Sequence, residues 1–134
     1  MPYLDIRLGA PCLPETVERF ATHMTELTAD LLHKKRELTS VSVQCVPPNH
    51  WYVGGQSMGA EGGSTFFLEV NVTAGTNTKD EKAAFIAAAF AAAEGILGKL
   101  DAASYVIVRD VAADAWGWQG LTQEFRRQAA SPPA

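Results

Sequence analysis

The sequence has few of the residues that build metal sites and disulfide frameworks. It contains two cysteines, Cys12 and Cys45, and three scattered histidines. Neither set has the spacing of a zinc or haem site, so neither kind of site is predicted. Two cysteines among 134 residues do not indicate a disulfide framework, and a reducing compartment is therefore predicted.

An excess of positive charge and a long hydrophobic run are also missing. The formal net charge is -4, and the only basic run, residues 34–36, is typical of a solvated helix end. The most apolar stretch, residues 83–93, is too short to cross a bilayer, and the first residues lack the pattern of a secretory signal. These features predict a cytoplasmic protein that binds neither nucleic acid nor membrane.

A strand–helix–strand pattern occupies the first part of the chain. Apolar side chains alternate with polar ones over residues 2–8, which predicts a strand. From Pro14 to about His33 the apolar residues recur at helical spacing. A second strand is predicted over Leu38–Val46, followed by a short strand at Trp51–Val53.

The same pattern recurs about 64 residues later. Thr65–Thr73 is predicted as a strand, an alanine-rich helix follows and ends at about Leu97, and Ser104–Val111 is predicted as the last strand. Trp116 follows this strand as Trp51 follows its counterpart. This recurrence indicates a duplicated β-α-β unit.

Two such units predict one α+β domain over residues 1–134. The units span about 2–55 and 65–120, and 121–134 form a tail in which residues 122–127 are a short helix or a strand packed on a neighbour. The expected architecture is a four-stranded mixed sheet with two helices on one face. Because apolar residues occur on both faces of the strands, we expect the second face to be covered by oligomerisation. The last four residues are predicted to be disordered.

Three stretches resemble the tautomerase superfamily. They are Pro2 with its alternating strand, "LTSVSVQCVPPNHWYVGG" at 38–55 and "YVIVRDVAADAWGWQG" at 105–120. The stretch 38–55 is similar to both the 4-oxalocrotonate tautomerase and the macrophage migration inhibitory factor groups, and the stretch 105–120 is similar to the second unit of the migration inhibitory factor group. The resemblance implies a tautomerase-like homotrimer, with active sites at subunit boundaries that use no metal or organic cofactor. It also implies keto–enol chemistry on a small carboxylate substrate.

The resemblance implies that Pro2, exposed as the chain terminus once Met1 is removed, is the general base and acid. A free α-amino group has a pKa of roughly 7.7–8.0, which an apolar pocket beside a cation lowers. The two arginines of the 4-oxalocrotonate tautomerase group are missing, since Cys12 holds the first place and Ser40 or Ser42 the second. That substitution argues against 4-oxalocrotonate as the substrate.

The migration inhibitory factor group matches better. The resemblance to it assigns Lys34, or Lys35 by a one-residue slip, to the substrate carboxylate and the depressed pKa of Pro2. It assigns Tyr105 of a neighbouring subunit to the substrate carbonyl. The alternatives are a solvated helix-end charge for Lys34 and a packing role for Tyr105.

Three further residues are candidates for substrate binding. Arg7 and Arg109 could replace the missing arginines, or form ion pairs between subunits instead. Trp116 could form an apolar wall beside Pro2, or serve only as a core aromatic. The predicted function is tautomerisation of an arylpyruvate-like 2-oxo acid. The alternatives are a trimeric binding or scaffold protein of the same fold, and a dehalogenase or decarboxylase of the same family.

Overall fold

The computed structural model describes residues 2–130, without the side chains of Glu61 and Ala130. The predictions made for Met1 and for residues 131–134 lie outside this range. The elements follow in chain order: β1 (Tyr3–Gly9), α1 (Pro14–Leu31), β2 (Ser40–Cys45), β3 (Tyr52–Val53), β4 (Gln56–Ser57), α2 (Met58–Glu61), β5 (Thr65–Thr73), α3 (Lys79–Leu97), β6 (Tyr105–Val111), β7 (Gly117–Trp118), β8 (Leu121–Thr122) and α4 (Gln123–Ala130).

Four strands form one mixed sheet in the order β2-β1-β5-β6. The pairs β1–β2 and β5–β6 are parallel, and the central pair β1–β5 is antiparallel. The fold class predicted from the sequence, α+β with two β-α-β units in one mixed sheet, is confirmed. Because the central strands are antiparallel, the two units are related by a pseudo-two-fold axis through the middle of the sheet.

One face of the sheet carries the hydrophobic core. Leu4, Ile6 and Leu8 alternate along β1 and are fully buried beneath the helices. The matching face of β5 is equally apolar, and both helices contribute to the same cluster. The largest of these core side chains are Phe20 and Met24 of α1, Phe66, Leu68, Val70 and Val72 of β5, and Phe85 of α3.

The other face of the sheet is open in this chain. It carries polar side chains such as Asp5, Glu69 and Asn71, together with the exposed aromatic residues Tyr3 and Tyr105. The alternation of strand residues places these side chains away from the helices. That a neighbouring subunit covers this face stays a prediction.

The two long helices begin and end with different devices. α1 begins with Pro14 at its first position and ends at Leu31, two residues before His33, whose φ of 58° is left-handed. α3 begins with a capping box in which Thr78 and Glu81 each accept a hydrogen bond from the other's backbone N–H. It ends at Gly98, which also has a positive φ. Lys34 and Lys99 therefore follow equivalent left-handed residues, one in each unit.

The two cysteines did not indicate a disulfide framework in the sequence, and the structure corrects that expectation. Cys12 and Cys45 form a disulfide, with their Cα atoms 6.1 Å apart. The bond is possible because β2 runs parallel to β1, which brings the end of β2 beside the loop that follows β1. Spacing in the sequence cannot show this proximity. The predicted cytoplasmic location consequently loses the support that it drew from free thiols.

The connections hold more regular structure than expected. The glycine-rich segment 54–63 contains β4 and the one-turn helix α2, because Gly54 and Gly55 allow a tight hairpin between β3 and β4. A second hairpin, β7–β8, precedes α4, so the helical alternative for the tail is correct. No helix within residues 2–130 is long and apolar enough to cross a membrane.

Candidate active site

Pro2 lies at one end of the sheet, which we call the Pro2 end. Here β1 starts and both β5 and β6 finish. The residue is buried, and its carbonyl accepts a hydrogen bond of 3.2 Å from the backbone N–H of Ser40. Tyr3 pairs with Asn71, so Pro2 lies one place further, beside Val72 of β5. The alternation along β1 then places Pro2 on the helix-covered face, as it does Leu4.

Lys34 reaches the same end from the C-terminus of α1. The left-handed His33 turns the chain there, and the Lys34 side chain is directed at the loop between β5 and α3. Its ammonium donates a 2.8 Å hydrogen bond to Oγ1 of Thr76. Burial lowers the pKa of Lys34, and the negative charges of Glu81 and Asp110 oppose that shift. The lysine is therefore half-buried at the Pro2 end and not a fully solvated helix-end charge.

Hydrogen bonds connect Lys34 to Trp116. Thr76, which accepts a hydrogen bond from Lys34, in turn donates its hydroxyl hydrogen to the carbonyl of Thr73 at 2.6 Å. The indole Nε1 of Trp116 donates to the hydroxyl of the same Thr73 at 3.2 Å. Trp116 is half-buried in the loop after β6. The structure thus brings Pro2, Lys34 and Trp116 to one end of the sheet.

A histidine–carboxylate contact and an ion pair surround Lys34. Nε2 of His33 lies 3.1 Å from a carboxylate oxygen of Glu81, and Nζ of Lys82 lies 2.6 Å from Oδ2 of Asp110. Backbone and side-chain hydrogen bonds, above all that from the Thr78 backbone N–H, lower the pKa of Glu81. Both carboxylates near Lys34 are therefore bound to other groups.

Tyr105 and Arg7 lie at the opposite end of the sheet. Tyr105 starts β6, six residues before Val111, and a strand rises about 3.3 Å per residue. It is thus roughly 20 Å from the end of β6 that lies beside Pro2. Its side chain is 61% exposed. Within one chain, Tyr105 cannot contact a substrate held by Pro2.

Arg7 lines a cleft of about 450 Å³ on the open face. Its guanidinium carbon lies 6.0 Å from the centre of the Phe67 ring. Trp51, Tyr52 and His50 form further walls of this cleft. Arg7 is five positions after Pro2 in the sequence, a distance of about 17 Å along a strand. Arg7 therefore does not join the Pro2 of its own chain.

Arg109 lies on the open face near the Pro2 end. It pairs with Asn71 across the β5–β6 ladder, and Asn71 in turn pairs with Tyr3. Its guanidinium is 3.7 Å from a carboxylate oxygen of Glu69 and remains mostly exposed. Arg109 thus already has an intrachain partner.

Sequence reasoning missed Asp110 and Lys82. They come from β6 and α3, 28 residues apart. Lys82 lies outside the stretches that carried the resemblance, and Asp110 lies within the stretch 105–120 but was not assigned a role. No cluster of three potential metal ligands occurs among residues 2–130.

Comparison with known proteins supports the fold. Residues 67–126 match the family model described as Tautomerase enzyme. No curated protein sequence matches the chain. Among solved structures, a fused 4-OT described as a symmetric trimer is 20% identical, with a TM-score of 0.80 over 91% of this chain and 96% of that one.

Two further structures extend this likeness. Pt0534 inactivated by 2-oxo-3-pentynoate is 16% identical over 92% of this chain and 98% of that one, with a TM-score of 0.82. Macrophage migration inhibitory factor from Toxoplasma gondii is 19% identical over 90% and 98%, with a TM-score of 0.73. The chain is thus an α+β protein with the fused tautomerase fold. The resemblance to the tautomerase superfamily is confirmed.

Proposed function

We propose that this chain is a cofactor-independent keto–enol tautomerase of a small 2-oxo acid with an apolar end, arylpyruvate-like in shape. The observation that supports it best is the convergence of Pro2 and the half-buried Lys34 at one end of the sheet. A secondary amine and a lysine are the two groups that the reaction requires. The first moves a proton, and the second binds the carboxylate.

Pro2 acts as base and acid once Met1 is removed. Its nitrogen accepts the proton of the enol hydroxyl and returns a proton to the adjacent carbon. Burial at the end of β1 disfavours the ammonium form, so the nitrogen is available as a base near neutral pH. Lys34 binds the substrate carboxylate, and Trp116 forms an apolar wall beside it.

The active unit in this proposal is a homotrimer. The fused 4-OT structures to which the chain is similar are described as symmetric and asymmetric trimers. Tyr105 lies at the end of the sheet away from Pro2 and is exposed, as a residue that serves a neighbouring subunit would be. Arg7 and Arg109, on the open face, are the candidates for additional contacts across the subunit boundary.

The kinetic test compares Pro2→Ala with the wild type in the ketonisation of phenylenolpyruvate. We expect the rate to fall by about 100-fold or more, the range of one general acid–base group. Intact-mass measurement must show that Met1 is absent from both proteins. Equal slow rates in the two proteins would exclude Pro2 as the base.

A labelling test does not depend on turnover. Pt0534 is described as inactivated by 2-oxo-3-pentynoate, an acetylenic 2-oxo acid. Addition of a neutral amine across its triple bond forms one N–C bond, and the amine proton moves to carbon. We expect the wild type to gain the mass of the reagent on the N-terminal peptide. Lys34→Met should slow this labelling, whereas Lys35→Met should not.

The missing arginines favour a second candidate, a trimeric binding protein without strong catalysis. The place of the first arginine is taken by Cys12, which is locked in a disulfide. This candidate predicts that phenylpyruvate binds at the Pro2 end while turnover stays at the level of Pro2→Ala. Halide or carbon dioxide release from a halogenated or malonyl-type acid would instead support the dehalogenase or decarboxylase alternative.

A further inference from the structure

The electrostatics around Lys34 depend on a residue that belongs to no motif. Lys34 is surrounded by His33 at the end of α1, by Glu81 and Lys82 on α3, and by Asp110 on β6. Yet among residues 2–130 the ammonium of Lys34 donates its only side-chain hydrogen bond to the neutral hydroxyl of Thr76. No carboxylate of the described residues lies within ion-pair distance of its ammonium.

Two carboxylates act on Lys34, and Glu81, whose effect is the larger, already accepts the backbone N–H of Thr78. Asp110 is the second: its charge acts on Lys34, and its position on β6 pairs with Val72, which lies beside Pro2. Pro2, Val72 and Asp110 therefore form one row across three strands, on the face that the helices cover. The Asp110 side chain is 38% exposed, so the free-energy gain from a cationic partner is modest and the main effect of such a partner is to position the carboxylate.

Lys82 is that partner. Its Nζ approaches Oδ2 of Asp110 to 2.6 Å, and the Lys82 side chain is 26% exposed. The first turn of α3, fixed by the capping box of Thr78 and Glu81, holds Lys82 over β6. Glu81 is bound in a similar way by His33 and the Thr78 backbone N–H.

We propose that Lys82 is a positioning residue: by binding Asp110 it keeps that carboxylate off Lys34, which leaves the Lys34 ammonium free for the substrate carboxylate. The inference rests on the proposed function, since it deepens the account of the same site. Without Lys82, Asp110 becomes an internal competitor of the substrate. Substrate affinity then falls, whereas proton transfer at Pro2 is not directly affected.

The test is a double-mutant cycle of Lys82→Met and Asp110→Asn, measured as KM and kcat for phenylenolpyruvate. We expect Lys82→Met to raise KM by about three- to tenfold with little change in kcat, because the released Asp110 then competes with the substrate carboxylate for Lys34. Adding Asp110→Asn should return KM towards the wild-type value, since the competitor is then neutral. Lys79→Met is the matched control: it removes an exposed charge from the same helical turn, and KM should not change.

Two results would overturn the inference. An unchanged KM in Lys82→Met would show that Asp110 does not compete with substrate. A raised KM that Asp110→Asn fails to restore would show that Lys82 binds the carboxylate directly or supports the fold. Circular dichroism and thermal melting of each variant show whether a raised KM comes from a loss of the fold.

A readout without turnover separates this inference from the proposed function. The pH titration of the Lys34 side chain can be followed by NMR of ¹³C,¹⁵N-labelled protein. We expect its pKa to rise in Lys82→Met and to fall again in the double variant, because an unpaired Asp110 favours the Lys34 ammonium. If the wild type has no tautomerase activity but this pattern appears, the proposed reaction fails and the Lys82–Asp110 relationship stands. If Lys34 titrates identically in all variants, the inference fails whatever the activity.

Discussion

Lys34 and Thr76 are joined by a 2.8 Å hydrogen bond although they belong to different β-α-β units. Lys34 follows the helix of the first unit, and Thr76 lies in the loop that leads to the helix of the second unit. A second contact reinforces this junction, since the side-chain amide of Asn77 donates to the carbonyl of Leu32 at 2.9 Å. The candidate site is therefore assembled by the fusion of the units, and neither unit contains it alone.

The one-residue ambiguity at the end of α1 can be tested directly. Lys34 is half-buried at the Pro2 end, whereas Lys35 is exposed. Lys34→Met should raise KM for phenylenolpyruvate about tenfold or more, the loss expected for a charge-assisted hydrogen bond to the carboxylate. Lys35→Met should behave as the wild type. The opposite ranking would shift the assignment to Lys35.

The lowered pKa of Lys34 predicts a specific pH dependence. Substrate binding requires the ammonium form, which is lost as the pH rises through the pKa of Lys34 in the folded protein. Because burial lowers that pKa, kcat/KM should decline at a pH below 10.5, the ordinary value for lysine. Lys34→Arg should keep the charge and move this decline to higher pH. An alkaline decline that is identical in both proteins would assign it to another group.

A mixed-subunit experiment tests where Tyr105 acts. In the proposed trimer, each site combines Pro2 of one subunit with Tyr105 of the next. Pro2→Ala and Tyr105→Phe homotrimers should both have reduced activity. Co-expressed subunits in equal amounts should regain activity at roughly a quarter of the sites, because some interfaces join two intact residues. Activity no higher than the average of the two homotrimers would place Tyr105 outside the reaction or in its own subunit's site.

The capping box of α3 should contribute to stability in a pH-dependent way. Thr78→Ala should cost about 1 kcal/mol of the free energy of unfolding, measured by urea denaturation. Hydrogen bonds lower the pKa of Glu81, so its contribution is present above 4.5 and lost as the pH falls through its value in the folded state. Glu81→Gln should therefore lose less stability on acidification than the wild type. Equal acid sensitivity in the two proteins would contradict this account.

The disulfide should affect stability but not the reaction. Reduction of the Cys12–Cys45 bond, which closes a loop of 33 residues, should lower the free energy of unfolding by about 3–4 kcal/mol. Cys45→Ser should do the same, whereas kcat/KM should stay near the wild-type value below the new Tm. The reason is that the disulfide and Lys34 lie at opposite ends of the sheet. A selective loss of activity without a change in Tm would disagree with this separation.

Local patterns in the sequence were sufficient for the architecture. Alternation within each strand and helical spacing within α1 and α3 depend on neighbours a few residues apart, so they can be seen without the fold. The helix end that carries Lys34 is predictable for the same reason. Its environment is not, because Thr76, Asp110 and Lys82 reach it from three later elements.

The disulfide is another contact between distant residues that local sequence patterns could not predict. Cys12 and Cys45 are brought together by the parallel pairing of β1 and β2, which no spacing rule for cysteines encodes. Arg7 and Tyr105 lie on the strands where they were predicted. However, the direction of those strands places them at the end of the sheet away from Pro2. The direction of each strand relative to the N-terminus therefore determines which candidate site residues can lie near Pro2 within one subunit.

The pseudo-two-fold axis has a consequence for stoichiometry. When the two units are aligned by the register of their strands, Phe66 is the equivalent of Pro2. Cys12 and Cys45, which form the disulfide, are the equivalents of Thr76 and Asp110. At the end of the sheet away from Pro2, the equivalent nitrogen belongs to an ordinary amide of Phe66. The disulfide there takes the place of the Thr76 and Asp110 side chains. In the proposed mechanism each chain thus has one N-terminal amine that adds to 2-oxo-3-pentynoate. Labelling of that amine should saturate at one equivalent per chain, or three per proposed trimer, although such a trimer would contain six β-α-β units.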